Sequence, residues 1–194
     1  MGHKMLALTL ALGVVAAILF LVVVPKIAAS YGENVASRYY EKNLGYSATC
    51  IGDLDDRKKQ AAGKTPKCLY DFATFQKEAA AAYASPVLFP GDLIMMTFLT
   101  AALALGSLAF ASYVPGMSDK TWQLLLLPFV YWVADASEDA KLAWLLRHPD
   151  AITDGSVLVL KALTGVKMGT AAMSLIQVAY LAWKAGSLPW KNLF

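Results

Sequence analysis

The fold is decided by the stretch from Trp122 to Leu146, which reads WQLLLLPFVYWVADASEDAKLAWLL. The stretch is apolar and long enough to cross a membrane, yet it carries charged side chains near its centre: Asp135, Glu138, Asp139 and Lys141. Each charge at the centre of a membrane helix costs about 2.5 to 3.5 kcal/mol on insertion scales. We therefore expect this group to be paired, hydrated or functional.

The composition of the whole chain is that of a membrane protein. Of its 194 residues, 58% are hydrophobic and only 16% are charged. A bilayer core needs about 20 mostly apolar residues per helix, and four windows qualify: 5–27, 88–113, 121–147 and 157–184. The sequence predicts an all-α integral membrane protein with four transmembrane helices. Its predicted parts are transmembrane helix 1 (1–28), an extramembrane loop domain (29–87), and helices 2 to 4 with a short C-terminal tail (88–194).

The distribution of lysines predicts the orientation in the membrane. With four spans, both termini and the turn from Pro115 to Lys120 lie on one side, which carries an excess of lysine. The positive-inside rule places that side in the cytoplasm, matrix or stroma, with the loop 29–87 opposite. The first apolar run, Met5 to Val24, exceeds the roughly 7 to 15 residues of a signal-peptide core, so we interpret it as a membrane anchor.

The loop 29–87 holds both cysteines, Cys50 and Cys68. A translocated loop often lies in an oxidising compartment, where a disulfide would stabilise a small domain that lacks its own core. We predict this disulfide; the alternative is two free thiols. Phe72, Phe75 and Ala79 recur at helical spacing. Tyr31, Val35 and Tyr39 recur at the same spacing, so the loop is predicted to contain two short amphipathic helices on the membrane surface. Their aromatic faces could pack on each other, on the helix ends or on a partner protein; we expect them to pack on the protein's own helix bundle.

The central charges lie on one face of the third predicted helix, within an arc of about 100° for its three acids. Antiparallel counting about residue 152 places Glu138 level with residue 166, and so opposite Lys167. Counting about residue 117 places Asp92 level with residue 142, within reach of Lys141. The sequence thus predicts a buried ion-pair network in which Asp92 pairs with Lys141, and Glu138 or Asp139 pairs with Lys167.

This network leaves one acid without a basic partner, because three carboxyl groups face only two deep lysines. We expect the surplus carboxyl to hold a proton at neutral pH, with Asp135 as the candidate. If the chain is an enzyme, its catalytic residues are Asp135, Glu138 and Asp139. One of them would protonate a double bond of a lipid or isoprenoid, as an isomerase or cyclase requires, and three aromatic side chains could flank the cation: Tyr131, Trp132 and Trp144.

Two further functional readings are weaker. The acidic spacing resembles half of the paired Asp-rich motifs of membrane prenyltransferases, which hold Mg²⁺ and a diphosphate, but the second motif is missing. The acids could also carry protons or ions, for which four helices make a narrow path. The only histidines are His3 and His148, so no set of His and Cys ligands predicts a metal site.

The fourth predicted helix contains Gly165 and Gly169, a spacing that lets another helix approach closely. A polar stripe runs beside them from Lys167 to Gln177 and must face protein or water. In the third helix, Pro128 frees the backbone carbonyl one turn earlier.

The remaining interpretation is a non-catalytic accessory or scaffold subunit of a larger membrane complex. Its buried ion pairs would then fix helix register and partner choice. The long first loop with two cysteines resembles the layout of claudin-like tetraspan proteins. The loop departs from that family because it has no Trp and its cysteines are more widely spaced. We expect membrane lipids and other membrane subunits as partners, no cofactor beyond bound lipids, and no nucleic acid, since the net charge is only +3.

Overall fold

The computed structural model describes residues 2–30 and 68–186, and these are helical with no strand. Seven α-helices follow one another along the described residues: α1 (Gly2–Ile18), α2 (Val24–Ser30), α3 (Leu69–Phe75), α4 (Lys77–Ala82), α5 (Leu93–Ala111), α6 (Thr121–Arg147) and α7 (Asp154–Gly186). A π-helical turn, Leu19–Val23, joins α1 to α2, and a second π-helical segment, Tyr83–Asp92, joins α4 to α5. The prediction of an all-α protein is confirmed.

Three helical segments are long and apolar enough to cross a membrane: Leu6–Ser30, Lys77–Ala111 and Asp154–Gly186. The sequence predicts four, and the difference lies in α6. This helix has 27 residues and carries Asp135, Glu138, Asp139 and Lys141, and it is not among the candidate spans. The described structure therefore supports three candidate spans and not the predicted four. The second candidate also begins at Lys77, inside the segment predicted as the extramembrane loop domain.

Two prolines shape the chain before α5. The backbone is non-helical at Ser85 and Phe89, and each of these residues precedes a proline. The proline ring disfavours the helical conformation in the residue before it, so a regular helix begins only at Leu93. Gly91 lies inside this irregular segment, and a Cβ there would meet the Pro86 carbonyl oxygen at 2.9 Å.

The described residues form two compact units. The first, here the terminal unit, contains residues 2–18, 95–134 and 166–186. The second, here the cluster unit, contains residues 19–30, 68–94 and 135–165 and holds the acids of α6.

The short helix α3 packs into the hydrophobic core of the cluster unit. Phe72 and Tyr83 are both fully buried, with their rings in an edge-to-face arrangement at 6.3 Å. They share one hydrophobic cluster with Leu142 and Leu145 of α6. The aromatic face predicted around Phe72 thus packs on the protein itself, as expected from the sequence, and the other predicted amphipathic helix, from Tyr31 to Tyr39, lies outside the described residues.

Candidate functional site

The three acids of α6 are buried together in the cluster unit. Asp135 is 1% exposed, and Glu138 and Asp139 are fully buried. Their spacing of three and four residues places them on one side of the helix. The sequence predicts this common face, and the structure buries it.

Asp92 joins this face from the end of the π-helical segment before α5. It is 3% exposed, and carboxylate oxygens of Asp92, Asp135 and Asp139 all lie within 4.8 Å of one another. We call these three residues the carboxylate cluster. Carboxylates at this separation repel one another strongly in a buried site, so protons or positive charge are needed to stabilise them. Carboxylate oxygens are also the ligands that Mg²⁺ and Ca²⁺ take, and among the described residues this is the set that could hold such an ion.

The predicted pairing of Asp92 with Lys141 is not seen among the described residues. The Lys141 ammonium lies over the Trp144 ring, 4.6 Å from its centroid, whereas Asp92 lies with Asp135 and Asp139. Antiparallel counting places Asp92 at nearly the level along α6 at which it lies, since the predicted residue 142 is close to Asp139 in the helix. Such counting does not determine the direction in which a side chain points around the helix axis. Residues 139 and 141 point about 200° apart around an α-helix.

Glu138 has a partner that the sequence reasoning missed. The Thr164 hydroxyl of α7 donates a hydrogen bond to Glu138 Oε1, and both side chains are fully buried. The same hydroxyl lies 3.0 Å from the Leu160 carbonyl oxygen of its own helix. A signal for this contact was present, because Thr164 precedes Lys167 by three residues and so shares its helix face. The predicted register, with Glu138 level with residue 166, differs by only two residues.

Lys167 belongs to the terminal unit and is 8% exposed. Burial of a lysine to this degree is uncommon without charged or polar company. Its predicted pairing with Glu138 or Asp139 stays a prediction.

The polar stripe of α7 is buried at Lys167 and Ser174 and half-buried at Thr170 and Gln177, and its side chains make two kinds of hydrogen bond. The Thr170 and Ser174 hydroxyls each donate at 2.7 Å to a carbonyl oxygen four residues earlier in α7. Gln177 Nε2 instead donates to other helices, at 2.8 Å to both Ser107 Oγ of α5 and the Leu124 carbonyl oxygen of α6.

That carbonyl is the one freed by a proline. In a regular helix the oxygen of Leu124 would accept from the N–H of residue 128, which is Pro128 and has none. The helix nevertheless runs through Pro128 without a break. Gln177 thus supplies the hydrogen bond that the proline removes, and it links α7 to α6 in doing so.

The glycines predicted to pack helices lie on an open face. Gly165 and Gly169 are exposed, and a Cβ at either position would meet no other described atom within 4 Å. The close approach occurs at Gly106 of α5, where a Cβ would lie 3.2 Å from Thr9 Cγ2 and 3.4 Å from Val178 Cγ1. The sequence predicts close packing at the glycines with the familiar spacing, and the described structure shows a close approach at Gly106 instead.

The predicted disulfide lies partly outside the described residues, because Cys50 does. Cys68 is 2% exposed, and its sulfur accepts from the Asp71 backbone N–H at 3.5 Å at the start of α3. The described residues contain no free cysteine.

Fold and site together define an all-helical protein with three candidate membrane spans and a buried carboxylate cluster beside one of them. Comparison of the chain with models of known protein families, with characterised proteins and with solved structures finds no match.

Proposed function

We propose that the chain is a non-catalytic integral membrane subunit, an accessory or scaffold subunit of a larger membrane complex, in which buried charged side chains fix helix packing. The observation that carries this proposal is the burial of the acids. Asp92, Asp135, Glu138 and Asp139 are each between 0 and 3% exposed. A substrate would have to touch one of these carboxyl groups, whereas a structural network works best when sealed from solvent.

The proposal includes α6 as a fourth span, with both termini on the cytoplasmic, matrix or stromal side. At about 1.5 Å per residue, a helix of 27 residues is about 40 Å long and can cross a core of about 30 Å. The burial of its acids supports this placement, because the three carboxyl groups near its centre are covered by protein. Single cysteines introduced into the loop 29–87 and into the turn at residue 116 should react with an impermeant maleimide from opposite sides of the membrane. Labelling of both from one side would rule out this topology.

The proposal also includes a disulfide between Cys50 and Cys68, supported by the absence of a free cysteine among the described residues. A thiol assay on the unfolded, unreduced protein should find no free thiol, and reduction should release two. Two reactive thiols before reduction would contradict the disulfide.

A second candidate is a small membrane-embedded lipid or isoprenoid isomerase or cyclase that uses a carboxylic acid. The gathering of Asp92, Asp135 and Asp139 favours it, because a closely spaced set of carboxyl groups can hold a proton for transfer. Trp132, one of the aromatic residues that could flank the cation in such an enzyme, donates a hydrogen bond from Nε1 to Thr97 Oγ1 at 3.1 Å.

Purification from the native membrane in a mild detergent distinguishes the two candidates. A subunit should retain a stoichiometric protein partner through two purification steps, and Glu138→Gln should weaken that retention because it alters the buried network. The matched control is Glu78→Gln, which makes the same change at an exposed position of α4. Recovery of the native chain alone, with a bound isoprenoid, would overturn the subunit proposal in favour of the enzyme.

A second test concerns the predicted ion pair. Glu138→Gln and Lys167→Met should each lower the stability of the protein, and the double variant should recover part of the loss, because it leaves no unpaired charge buried. Strictly additive losses would contradict direct pairing of the two residues.

A further inference from the structure

A cavity of about 310 Å³ lies in the cluster unit, lined by Ala73, Lys77, Ala81, Leu146, Arg147 and Pro149. None of the carboxyl groups of the site lines it. Four of its six lining residues are apolar, and the other two are cationic. Its volume is at the lower end of the range of small-molecule sites, about 300 to 1,000 Å³.

The two cations of this cavity have no ionic partner among the described residues. Lys77 and Arg147 are exposed, and the side chain of neither makes a hydrogen bond or an ion pair with the described residues. The acidic residues beside them in sequence, Glu78 and Asp150, are exposed and do not line the cavity. Among the described residues, the wall of the cavity therefore offers two positive charges and no counter-charge.

The position of the cavity along the helices matches a membrane surface. Lys77 is the first residue of a candidate span, and Arg147 is the last residue of α6. Trp144, one turn before Arg147, is 44% exposed and stacks on His148 with ring centroids 4.8 Å apart. Exposed tryptophans mark the level of the lipid headgroups in membrane proteins.

We propose that this cavity binds an acidic phospholipid. Its phosphate would lie between the Lys77 ammonium and the Arg147 guanidinium, which are suited to phosphate oxygens, and the upper part of an acyl chain would lie against Ala73, Ala81 and Leu146. The acidic headgroup is favoured by the two unopposed charges, and the lipid by the apolar wall. The proposal relies on the membrane placement of the chain but not on its role as a subunit.

Native mass spectrometry of the detergent-purified protein tests this proposal. Dioleoyl phosphatidylglycerol and dioleoyl phosphatidylcholine are added separately, and the bound lipid is counted. The native protein should bind phosphatidylglycerol at least about tenfold more tightly than phosphatidylcholine, and the variant Lys77→Gln/Arg147→Gln should lose this preference. The control Lys26→Gln/Lys161→Gln makes the same change of charge at exposed lysines outside the cavity and should keep it.

Three results would overturn the proposal: equal binding of the two lipids by the native protein, unchanged preference in the cavity variant, or displacement of the lipid by an equal concentration of inorganic phosphate. The last would show a phosphate site that does not recognise lipid. Because the measurement uses the isolated chain, its outcome is independent of whether a partner subunit is found.

Discussion

The hydrogen bond from Gln177 to the Leu124 carbonyl oxygen should contribute to stability because of Pro128. Replacing Gln177 by Leu keeps the side chain's approximate size but removes the donor that lies 2.8 Å from that oxygen. The oxygen then has no donor at residue 128 and none from α7. Ser107 is affected less, because its hydroxyl still donates to the Leu103 carbonyl at 2.9 Å.

The loss of stability expected for Gln177→Leu follows from the Leu124 carbonyl oxygen, which is left without a donor. A buried carbonyl that loses its partner costs about 1 to 3 kcal/mol, and hydrogen bonds between membrane helices average about 0.6 kcal/mol with a maximum near 1.7. We therefore expect Gln177→Leu to lower the free energy of unfolding by about 1 to 1.5 kcal/mol. The loss should be measured by titrating SDS into detergent micelles and following tryptophan fluorescence and circular dichroism. Gln123→Leu, the same change at an exposed position of α6, should have little effect.

The decisive comparison is made in the Pro128→Ala background. Alanine restores the backbone N–H, so the Leu124 carbonyl can accept within its own helix. Gln177→Leu should then cost less by at least about 0.5 kcal/mol, the lower limit of coupling between residues in direct contact. Equal losses in the two backgrounds would refute the argument that Gln177 replaces the bond removed by the proline.

The remaining predictions concern packing and the partner of Glu138. Gly106→Leu should destabilise the protein by about 1 to 3 kcal/mol in the same SDS titration, because the new side chain must displace its neighbours. Gly165→Leu should not, and a loss there in the isolated chain would contradict the open face. Thr164→Val should cost about 1 to 3 kcal/mol by removing a buried donor to Glu138. The control Thr170→Val should cost less, because the described bonds of that hydroxyl stay within α7.

The sequence predicts the helices and the heights of their contacts well, since both follow from regular periods. Apolar length identified α5 and α7, and a constant rise per residue put Glu138 within two residues of Thr164. The direction of a side chain around the helix axis is predicted less well than its height. Asp139 and Lys141 differ in height along the helix by only about 3 Å, but their side chains point in nearly opposite directions. Counting along the helices therefore pairs Asp92 with Lys141, whereas in the structure the carboxylate of Asp92 lies close to those of Asp135 and Asp139.

Close helix approach could not be predicted from spacing alone. Gly165 and Gly169 have the familiar separation, whereas Gly106 owes its importance to Thr9 and Val178, which are distant from it in sequence. Which glycine is crowded depends on the neighbours that each helix face meets. The irregular start of α5 was partly accessible, because prolines at 86 and 90 forbid helical backbone in the residues before them.

The two buried polar sites differ in what they need in order to be stable. At Gln177 every described hydrogen-bond partner is neutral. This site can therefore link the helices without a proton or an ion to balance its charge. The carboxylate cluster is different, since neutral side chains such as Asn could have linked the same helices without mutual repulsion. Three aspartates at this separation make the stability of the cluster depend on what neutralises them, whether a proton, a cation or a lysine. Charge balance therefore couples the packing of these helices to whatever neutralises the cluster.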